Sequence, residues 1–197
     1  MKKTKQMKFW MILLTLSIWG TSSLMSATNF GMKAGLTMSK FTGDTTLEEV
    51  DSMGGTLGIY GKQDLTNWLS IIGELNLIQK GSLQHQTIEE STYTFTNTLN
   101  YLEIPLLLKV NITNTLGIYA GGYASKLLDA KVSINGGDPF DTTDFLNKDD
   151  YGTIIGINYT IDPSFSFDLR LTQGQESIIS TGEMLNQSFS FAANKSF

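Results

Sequence analysis

The sequence predicts an all-β protein, an eight-stranded antiparallel up-and-down transmembrane β-barrel. Three observations support this fold. Apolar residues recur at every second position in segment after segment, which is the signature of strands with two different faces. Long and short connections alternate between these segments, as they do in barrels of an outer membrane. The mean hydropathy of −0.05 suits apolar residues spread over alternate strand positions, in a transmembrane barrel or in a soluble β protein.

The N-terminus has the order of a secretory signal peptide. Four lysines within the first eight residues precede an apolar stretch at 9–19, and small and polar residues follow at 20–27. A membrane anchor is the alternative, but the apolar stretch is shorter than the roughly 20 residues that a spanning helix needs. We therefore expect residues 1–27 to be a signal peptide that is cut after Ala27, and residues 28–197 to be one outer membrane β-barrel domain.

The composition excludes several classes of function. The sequence has no cysteine, which rules out disulfides, zinc–thiolate sites and the lipid-modified cysteine of a lipoprotein. Cleavage of the leader would take the net charge from −5 to −9, because four lysines and no acidic residue leave with it. An acidic mature chain argues against nucleic acid as a partner.

The first four predicted strands cover residues 30–41, 56–64, 69–80 and 100–110. Each has one more apolar face, which we expect to meet lipid, and one face with glycine, polar or charged residues. The predicted lipid-facing residues are Phe30, Met32, Ala34, Leu36 and Met38; Leu57 and Ile59; Ile71, Gly73, Leu75 and Leu77; and Leu102, Ile104, Leu106, Leu108 and Val110.

The other four predicted strands cover residues 116–127, 151–160, 164–172 and 188–197. The sixth is ambiguous, because its isoleucines fall on both faces. The predicted lipid-facing residues of the other three are Leu116, Ile118, Ala120, Gly122 and Ala124; Phe165, Phe167, Leu169 and Leu171; and Phe189, Phe191, Ala193, Lys195 and Phe197. Lys195 breaks the pattern, but near the chain end its ammonium can reach the periplasmic interface.

The predicted connections differ in length in a regular way. Long polar loops are expected at 42–55, 81–99, 128–150 and 173–187, and short turns near 65–68, 111–115 and 161–163. This predicts short periplasmic turns and long external loops. Pro105 is the main objection to a regular strand, since proline removes a ladder hydrogen bond, and we expect a local bulge there.

Seven charged residues within the predicted strands fall on the face opposite the apolar one. Acids and bases nearly balance there, which predicts a paired charge network inside a lumen too narrow for a channel. The predicted barrel-interior charge network is Lys33, Glu74, Lys80, Glu103, Lys109, Asp168 and Arg170.

Four segments resemble the PorT-like outer membrane β-barrel family, a porin-family group common in Bacteroidota. They begin at Lys33 (KAGL), Glu74 (ELNLIQKG), Tyr101 (YLEIPLLLK) and Tyr119 (YAGGYAS), and the segment with the proline is the most specific. A terminal phenylalanine, Phe197, also resembles the C-terminal signature of outer-membrane barrels. The resemblance covers essentially residues 28–197 and implies the fold and an outer membrane location in a Gram-negative bacterium. It implies no catalytic residues, and a few relatives have been linked to assembly or export of secreted proteins.

We therefore expect a structural or interaction protein without catalytic activity, cofactor or metal, which acts through external loops in protein secretion or adhesion. Its expected partners are outer membrane lipid, lipopolysaccharide and a protein at the loops. Two alternatives stay open. A small ligand would fit a lumen between Tyr60, Tyr101, Tyr119 and Tyr123, although the inward charges favour a packed lumen. A soluble periplasmic barrel would invert the two faces.

Two loop constellations carry weaker functional hypotheses. A lipid-modifying hydrolase would place His85, the single histidine, beside Ser82 and an acid such as Glu89 or Glu90. Calcium, or magnesium bridging to lipopolysaccharide, would use the acidic loop residues, which lack EF-hand spacing and fit a solvated loop better. These are Asp138, Asp141, Asp144, Asp149 and Asp150.

Overall fold

The computed structural model describes residues 28–43, 48–88, 91–179, 182 and 184–197. The predicted signal peptide, residues 1–27, lies outside the described residues. Nine strands are assigned in that part of the chain: β1 Thr28–Gly43, β2 Glu48–Asp64, β3 Leu69–Ile88, β4 Ser91–Asn111, β5 Leu116–Ile134, β6 Phe140–Asp141, β7 Asp149–Asp162, β8 Phe165–Gly174 and β9 Met184–Ser196.

Eight of these strands close into a ring of antiparallel neighbours. Each long strand pairs with the next long strand along the chain, and β9 returns to pair with β1. The two-residue β6 only extends the edge of β5. The predicted eight-stranded up-and-down barrel is confirmed. Closure leaves no free edge among these strands, which is how a β structure satisfies its backbone in lipid.

The two faces of the barrel wall have the predicted polarity. Outward residues at alternate positions are apolar and exposed, among them Leu36, Leu57, Leu108, Ile155 and Leu171. On β1 the outward apolar residues run from Phe30 to Met38, about 26 Å along the strand, which suits a tilted strand crossing a thin bilayer. The inverted, soluble alternative is wrong, because the charged faces are the buried ones.

A polar rim ends the apolar band at the end of the barrel away from the short turns. The outward residues there are Lys40, Gln79, Asn100, Lys126, Asp149, Gln173 and Gln187. At the opposite end, exposed aromatic side chains of Phe30, Trp68, Tyr159 and Phe197 form an interfacial girdle. Both described chain ends and all three short turns lie on this side, which is therefore the periplasmic side.

The predicted short turns are confirmed, but the predicted long loops are wrong in extent. β2 to β5 continue well past the polar rim, so that β3 and β4 form one long hairpin where a loop was predicted at 81–99. From Gln79 to Ile88 the hairpin rises about 30 Å along the strand. The sequence does not predict this extension, because it has polar residues on both faces. Outside lipid neither face of a strand needs to be apolar.

Pro105 produces no bulge. The register between β3 and β4 is the same on both sides of it, from Gly73 opposite Leu106 to Asn76 opposite Glu103. The irregularity between β4 and β5 lies instead at Asn100, where Leu128 is inserted. The missing N–H of Pro105 is therefore accommodated by a short gap in the pairing of β4 with β3, without a change of register.

The extracellular end of the barrel is covered by two connections. After β5 the turn at Asn135 and Gly136, both with positive φ, sends the chain back as β6. The chain between β8 and β9 places Ile178 inside the lumen mouth, where it packs with Phe41 and Leu99. No helix in the described ranges is long and apolar enough to cross a membrane.

Candidate functional site

The seven charged residues predicted for the barrel interior all lie buried in the lumen. The strands bring them there because each occupies an inward position of the period-two pattern. They form two groups along the barrel axis. The periplasmic group contains Lys33, Glu74, Lys109, Asp168 and Arg170, and the extracellular group contains Lys80 and Glu103.

Glu74 is the centre of the periplasmic group. Arg170 binds it through two parallel contacts, Nη1 to Oε2 and Nη2 to Oε1, both 2.9 Å long. Lys33 donates to Oε1 at 2.8 Å, and Asn76 donates to Oε2 at 2.9 Å. Such a charge-assisted, bidentate arrangement fixes the position of β8 across the lumen from β3.

Asp168 joins the same group from β8. Its Oδ2 lies 3.1 Å from the Lys33 ammonium and 3.3 Å from Arg170 Nη2. Its Oδ1 accepts a hydrogen bond from Asn158. Two carboxylates and two cations thus share one network, and removing one of these four ions would leave the others with an uncompensated buried charge.

The extracellular group has a member that sequence analysis assigned to a loop. Asp150 is buried in the lumen, with Oδ2 3.6 Å from the Lys80 ammonium, and Glu103 lies 3.0 Å from the same ammonium. Tyr123 and Asn186 donate to Asp150 Oδ2 at 3.1 and 3.0 Å. The available signal was its position: extending the sixth strand by one residue puts Asp150 on the same face as Asn158.

Lys80 is also held by aromatic rings. Its ammonium lies 4.6 Å from the centre of the Tyr123 ring and 5.2 Å from that of Tyr101. Cation–π contact adds to the ion pairs when the cation is desolvated, and Lys80 is only 1% exposed.

The lumen is neutral as a whole and polarised along its axis. Lys33, Lys80, Lys109 and Arg170 balance Glu74, Glu103, Asp150 and Asp168. The periplasmic group, however, has three cations and two carboxylates, whereas the extracellular group has one cation and two carboxylates. The excess charge is therefore positive towards the periplasm.

The lumen tyrosines lie across glycines of the adjacent strand. Tyr119 is opposite Gly156, and Tyr123 is opposite Gly152. A Cβ on Gly156 would lie 2.5 Å from the Tyr119 ring, and one on Gly152 would lie 2.8 Å from the Tyr123 ring. The glycines of β7 therefore leave the space that the tyrosine rings of β5 occupy.

The tyrosines do not line one open chamber. Tyr101 and Tyr123 pack around Lys80, and Tyr119 contacts Arg170. Tyr60 and Tyr119 border a cavity of about 80 Å³ at the periplasmic end, whereas Tyr101 borders a separate pocket with Leu77 and Leu128. That volume suits a few water molecules or a small ion. The hypothesis of one ligand held among all four tyrosines is not supported by this arrangement.

The residues of the hydrolase hypothesis are separated. Ser82 is fully buried in the lumen, while His85 is exposed on the opposite face of β3 and contacts Thr94. An odd spacing along a strand places side chains on opposite faces. Glu89 and Glu90 lie outside the described residues.

The acidic residues of the calcium hypothesis are also dispersed. Asp149 pairs with Lys126 at 2.7 Å, Asp144 pairs with Lys148 at 2.9 Å, and Asp150 points into the lumen. Asp141 accepts hydrogen bonds from Thr143, which lower the pKa of its carboxyl group. Within the described ranges no three acidic or histidine side chains form a metal site.

The net negative charge of the chain is concentrated in four segments of the sequence that comprise strand ends and the connections between them. Residues 40–56, 81–100, 126–149 and 173–187 contain 13 acidic residues and four lysines, a net charge of −9. The lumen charges cancel, and so do Lys62 and Lys195 against Asp64 and Asp162 at the periplasmic end. The net charge expected for residues 28–197 is thus the net charge of these four segments of the sequence.

Solved structures of low sequence identity share this fold. Neisserial surface protein A aligns with a TM-score of 0.60 at 13% identity, covering 87% of this chain and 100% of that one. The attachment invasion locus protein Ail of Yersinia pestis, in complex with the heparin analogue sucrose octasulfate, aligns at 0.54 with 14% identity and the same coverage. No curated protein matches the sequence.

Family comparison agrees with the geometry of the wall and lumen. The model of the outer membrane protein beta-barrel domain matches residues 21–180, which is most of the chain. An apolar outer band, a charged lumen and closed antiparallel pairing are the physical requirements of such a barrel. The protein is therefore a small outer membrane barrel, and the chain belongs to the outer membrane protein beta-barrel domain family.

Proposed function

We propose that this protein is a non-catalytic surface protein that binds a partner with a basic protein surface through its acidic extracellular end. The observation that carries the proposal is the charge distribution, with the net −9 confined to the extracellular connections and strand extensions. Complementary charge accelerates encounter and selects against partners of like charge.

Exposed aromatic residues supply the second part of the proposed surface. Phe145 is 80% exposed and Phe140 is 49% exposed, both within the connection from β5 to β7. Aromatic anchors surrounded by charged residues are typical of protein interfaces, in which the rings contribute affinity and the charges contribute orientation. Asp138, Asp141 and Asp144 flank these two rings in sequence.

Adhesion to a basic protein surface fits this end better than adhesion to a polyanion. The Ail structure contains a heparin analogue, but at 14% identity that likeness concerns the fold alone. A surface of net −9 would repel a sulfated glycan and nucleic acid. A role in protein secretion would use the same surface, with the secreted protein as the basic partner.

The proposal of no catalytic activity is supported by the separation of the nucleophile and base candidates. Ser82 and His85 lie on opposite faces of β3, and the buried carboxylates are engaged by cations. A reaction of the serine–histidine type needs both side chains within hydrogen-bond reach.

The test compares probe binding by two variants of the folded protein in detergent. Combined Asp138→Asn, Asp141→Asn and Asp144→Asn substitutions remove acidic side chains beside Phe140 and Phe145. The control, Asp64→Asn with Asp162→Asn, removes two acids at the periplasmic end. We expect lysozyme, as a basic probe, to bind wild type and control with a salt-sensitive affinity and to bind the triple variant more weakly. Binding of heparin by wild type, or equal lysozyme binding by all three proteins, would contradict the proposal.

Membrane contacts are part of the same proposal. The apolar outer band would contact outer membrane lipid, and the polar rim at Lys40 and Lys126 would lie at the level of lipopolysaccharide head groups. A photo-crosslinking group at position 108 on the outer face should react with lipid more than one at position 154 in the lumen. Crosslinking to lipid that is no stronger from position 108 than from position 154 would argue against this placement.

We also propose that residues 1–27 are a signal peptide and that the chain is a PorT-like member of the family from a Bacteroidota species. The lysine-rich start and short apolar stretch support the first part, and the Tyr101 to Leu106 segment supports the second. The mass of the protein isolated from outer membranes tests the leader: a mature N-terminus at Thr28 is expected, and a retained Met1 would refute cleavage.

A further inference from the structure

We propose that the periplasmic end of the lumen is a binding site for a small inorganic anion, with Lys109 as its charged ligand. The site is the cavity of about 80 Å³ described above, which lies among Tyr60, Lys109, Tyr119, Thr160 and Ser166. Its lining also includes the carboxylates Glu74, Asp162 and Asp168. It is independent of the extracellular surface and of the partner proposed for it.

Lys109 is the only lumen cation in the described ranges without a carboxylate oxygen within 4.0 Å. Its side chain is 8% exposed, and its ammonium donates to the neutral Asn158 Oδ1 at 2.5 Å. An ammonium has three donors, so two remain for another partner. A buried charge with one neutral acceptor is costly unless an opposite charge accompanies it.

The nearby carboxylates are already occupied. Glu74 is bound by Lys33 and Arg170, and Asp168 is bound by the same two cations and by Asn158. The charge of each carboxylate is therefore already compensated by these cations and not by Lys109.

Two more acids lie at the mouth of the lumen. Asp64 lies 3.3 Å from Lys62 and accepts a hydrogen bond from Ser70. Asp162 is exposed at the rim and accepts from the Ser164 backbone. Asp162 also lines the cavity, but it is exposed at the rim, where solvent screens its charge. Among the described residues, Lys109 is therefore the buried cation of this cavity that has no carboxylate partner.

The walls of the cavity offer hydroxyl groups that suit an anion. Thr160 and Ser166 lie around Asn158, the residue that holds Lys109. Tyr60 and Ser196, joined by a 2.7 Å hydrogen bond, close the opposite side. Hydroxyl protons rotate to meet an acceptor, so an anion beside Lys109 would gain both charge and hydrogen bonds. The volume is sufficient for a small ion such as chloride or phosphate.

Two variants remove the proposed site by different means. Lys109→Gln removes the charge. Thr160→Asp instead adds a carboxylate: Thr160 Oγ1 lies 3.2 Å from Asn158 Oδ1, which Lys109 also contacts, so the new acid would become a built-in counter-ion. Lys126→Gln, at an exposed extracellular position, is the matched loss of one lysine.

The experiment is a titration of the folded barrel with inorganic phosphate in a detergent free of phosphate groups, followed by ³¹P line broadening. We expect saturable broadening for wild type and Lys126→Gln. We expect apparent affinity to fall by about tenfold or more in both site variants, since Lys109→Gln removes the ammonium that attracts the ion and Thr160→Asp pairs it with a carboxylate. If Lys109→Gln does not fold, Thr160→Asp alone decides. No saturable broadening in wild type, which would mean a cavity filled by water, or equal broadening in all folded variants would overturn the proposal.

Discussion

Arg170 and Glu74 form a bidentate ion pair across the lumen, with both nitrogen–oxygen distances at 2.9 Å. The pair joins strands β8 and β3, which are not neighbours in the sheet. It thus connects opposite walls of the barrel, where backbone hydrogen bonds cannot reach.

Loss of the Glu74 charge should destabilise the barrel strongly. Glu74→Gln leaves Arg170 and Lys33 with Asp168 as their shared carboxylate, and breaking such a buried network costs about 3–5 kcal/mol. The free energy of unfolding in urea, followed by the folded band on unboiled gels, measures this. Asp149→Asn, which breaks the exposed pair with Lys126, is the control and should change stability by less than about 1 kcal/mol. Similar losses in both variants would mean that the lumen network contributes no more than a surface pair.

The two carboxylates around Lys80 should differ in their contribution. Glu103 lies 3.0 Å from the ammonium and Asp150 lies 3.6 Å away, in a group with one negative charge in excess. Asp150→Asn removes that excess and keeps an oxygen for Tyr123, so we expect it to cost less than Glu103→Gln by about 1 kcal/mol or more. The same unfolding assay applies, and a larger loss for Asp150→Asn would refute the assignment of Glu103 as the main partner.

Glycine at position 156 should be required for the packing of Tyr119. An added Cβ would lie 2.5 Å from the ring and 2.6 Å from the Leu169 carbonyl oxygen, so Gly156→Ala should destabilise by about 1–3 kcal/mol. Gly122→Ala on the outer face meets its nearest atom at 3.4 Å and should be close to neutral. Equal effects of the two substitutions would show that ring packing does not account for the pairing of glycine with tyrosine between β5 and β7.

The extracellular cover should depend on the burial of Ile178. Ile178→Asp would place a charge against Phe41 and Leu99. Displacement of this segment would also break the backbone hydrogen bond from Asn147 N–H to the Ile178 carbonyl oxygen. We expect faster protease cleavage between β8 and β9 on intact cells. Phe145→Asp, at an exposed side chain, should leave that cleavage unchanged. Unaltered cleavage in Ile178→Asp would mean that the cover is not held by this contact.

The transmembrane half of the fold was predictable because lipid demands one apolar face. Phe30 to Met38 on β1 alternates with buried Lys33 and Thr37, and that pattern indicates both a strand and its orientation. The alternation over residues 100–110 placed Pro105 within a strand despite its missing N–H, but the bulge expected there was wrong.

The extracellular half was less predictable because its strands leave the bilayer. Beyond Gln79, β3 has polar residues on both faces, as a loop would. Asp150 was assigned to a loop because it directly follows Asp149 in a polar segment. The Asn135–Gly136 dipeptide was the one strong local signal of ordered structure in that region. The position of Ile178 follows from long-range packing, which periodicity does not report.

The central claim is a closed outer-membrane barrel that presents its acidic end to the outside. The sequence has no cysteine, so single cysteines at Phe145, Ile154 and Thr66 can be labelled on intact cells with a membrane-impermeant thiol reagent without background. These positions report the extracellular connection, the buried lumen and a periplasmic turn. We expect rapid labelling at position 145 on intact cells. Position 66 should be labelled only after the periplasm is opened, and position 154 only after the cells are lysed and the protein is unfolded. Labelling at 154 in the folded protein would contradict the closed lumen, and labelling at 66 on intact cells would contradict the orientation.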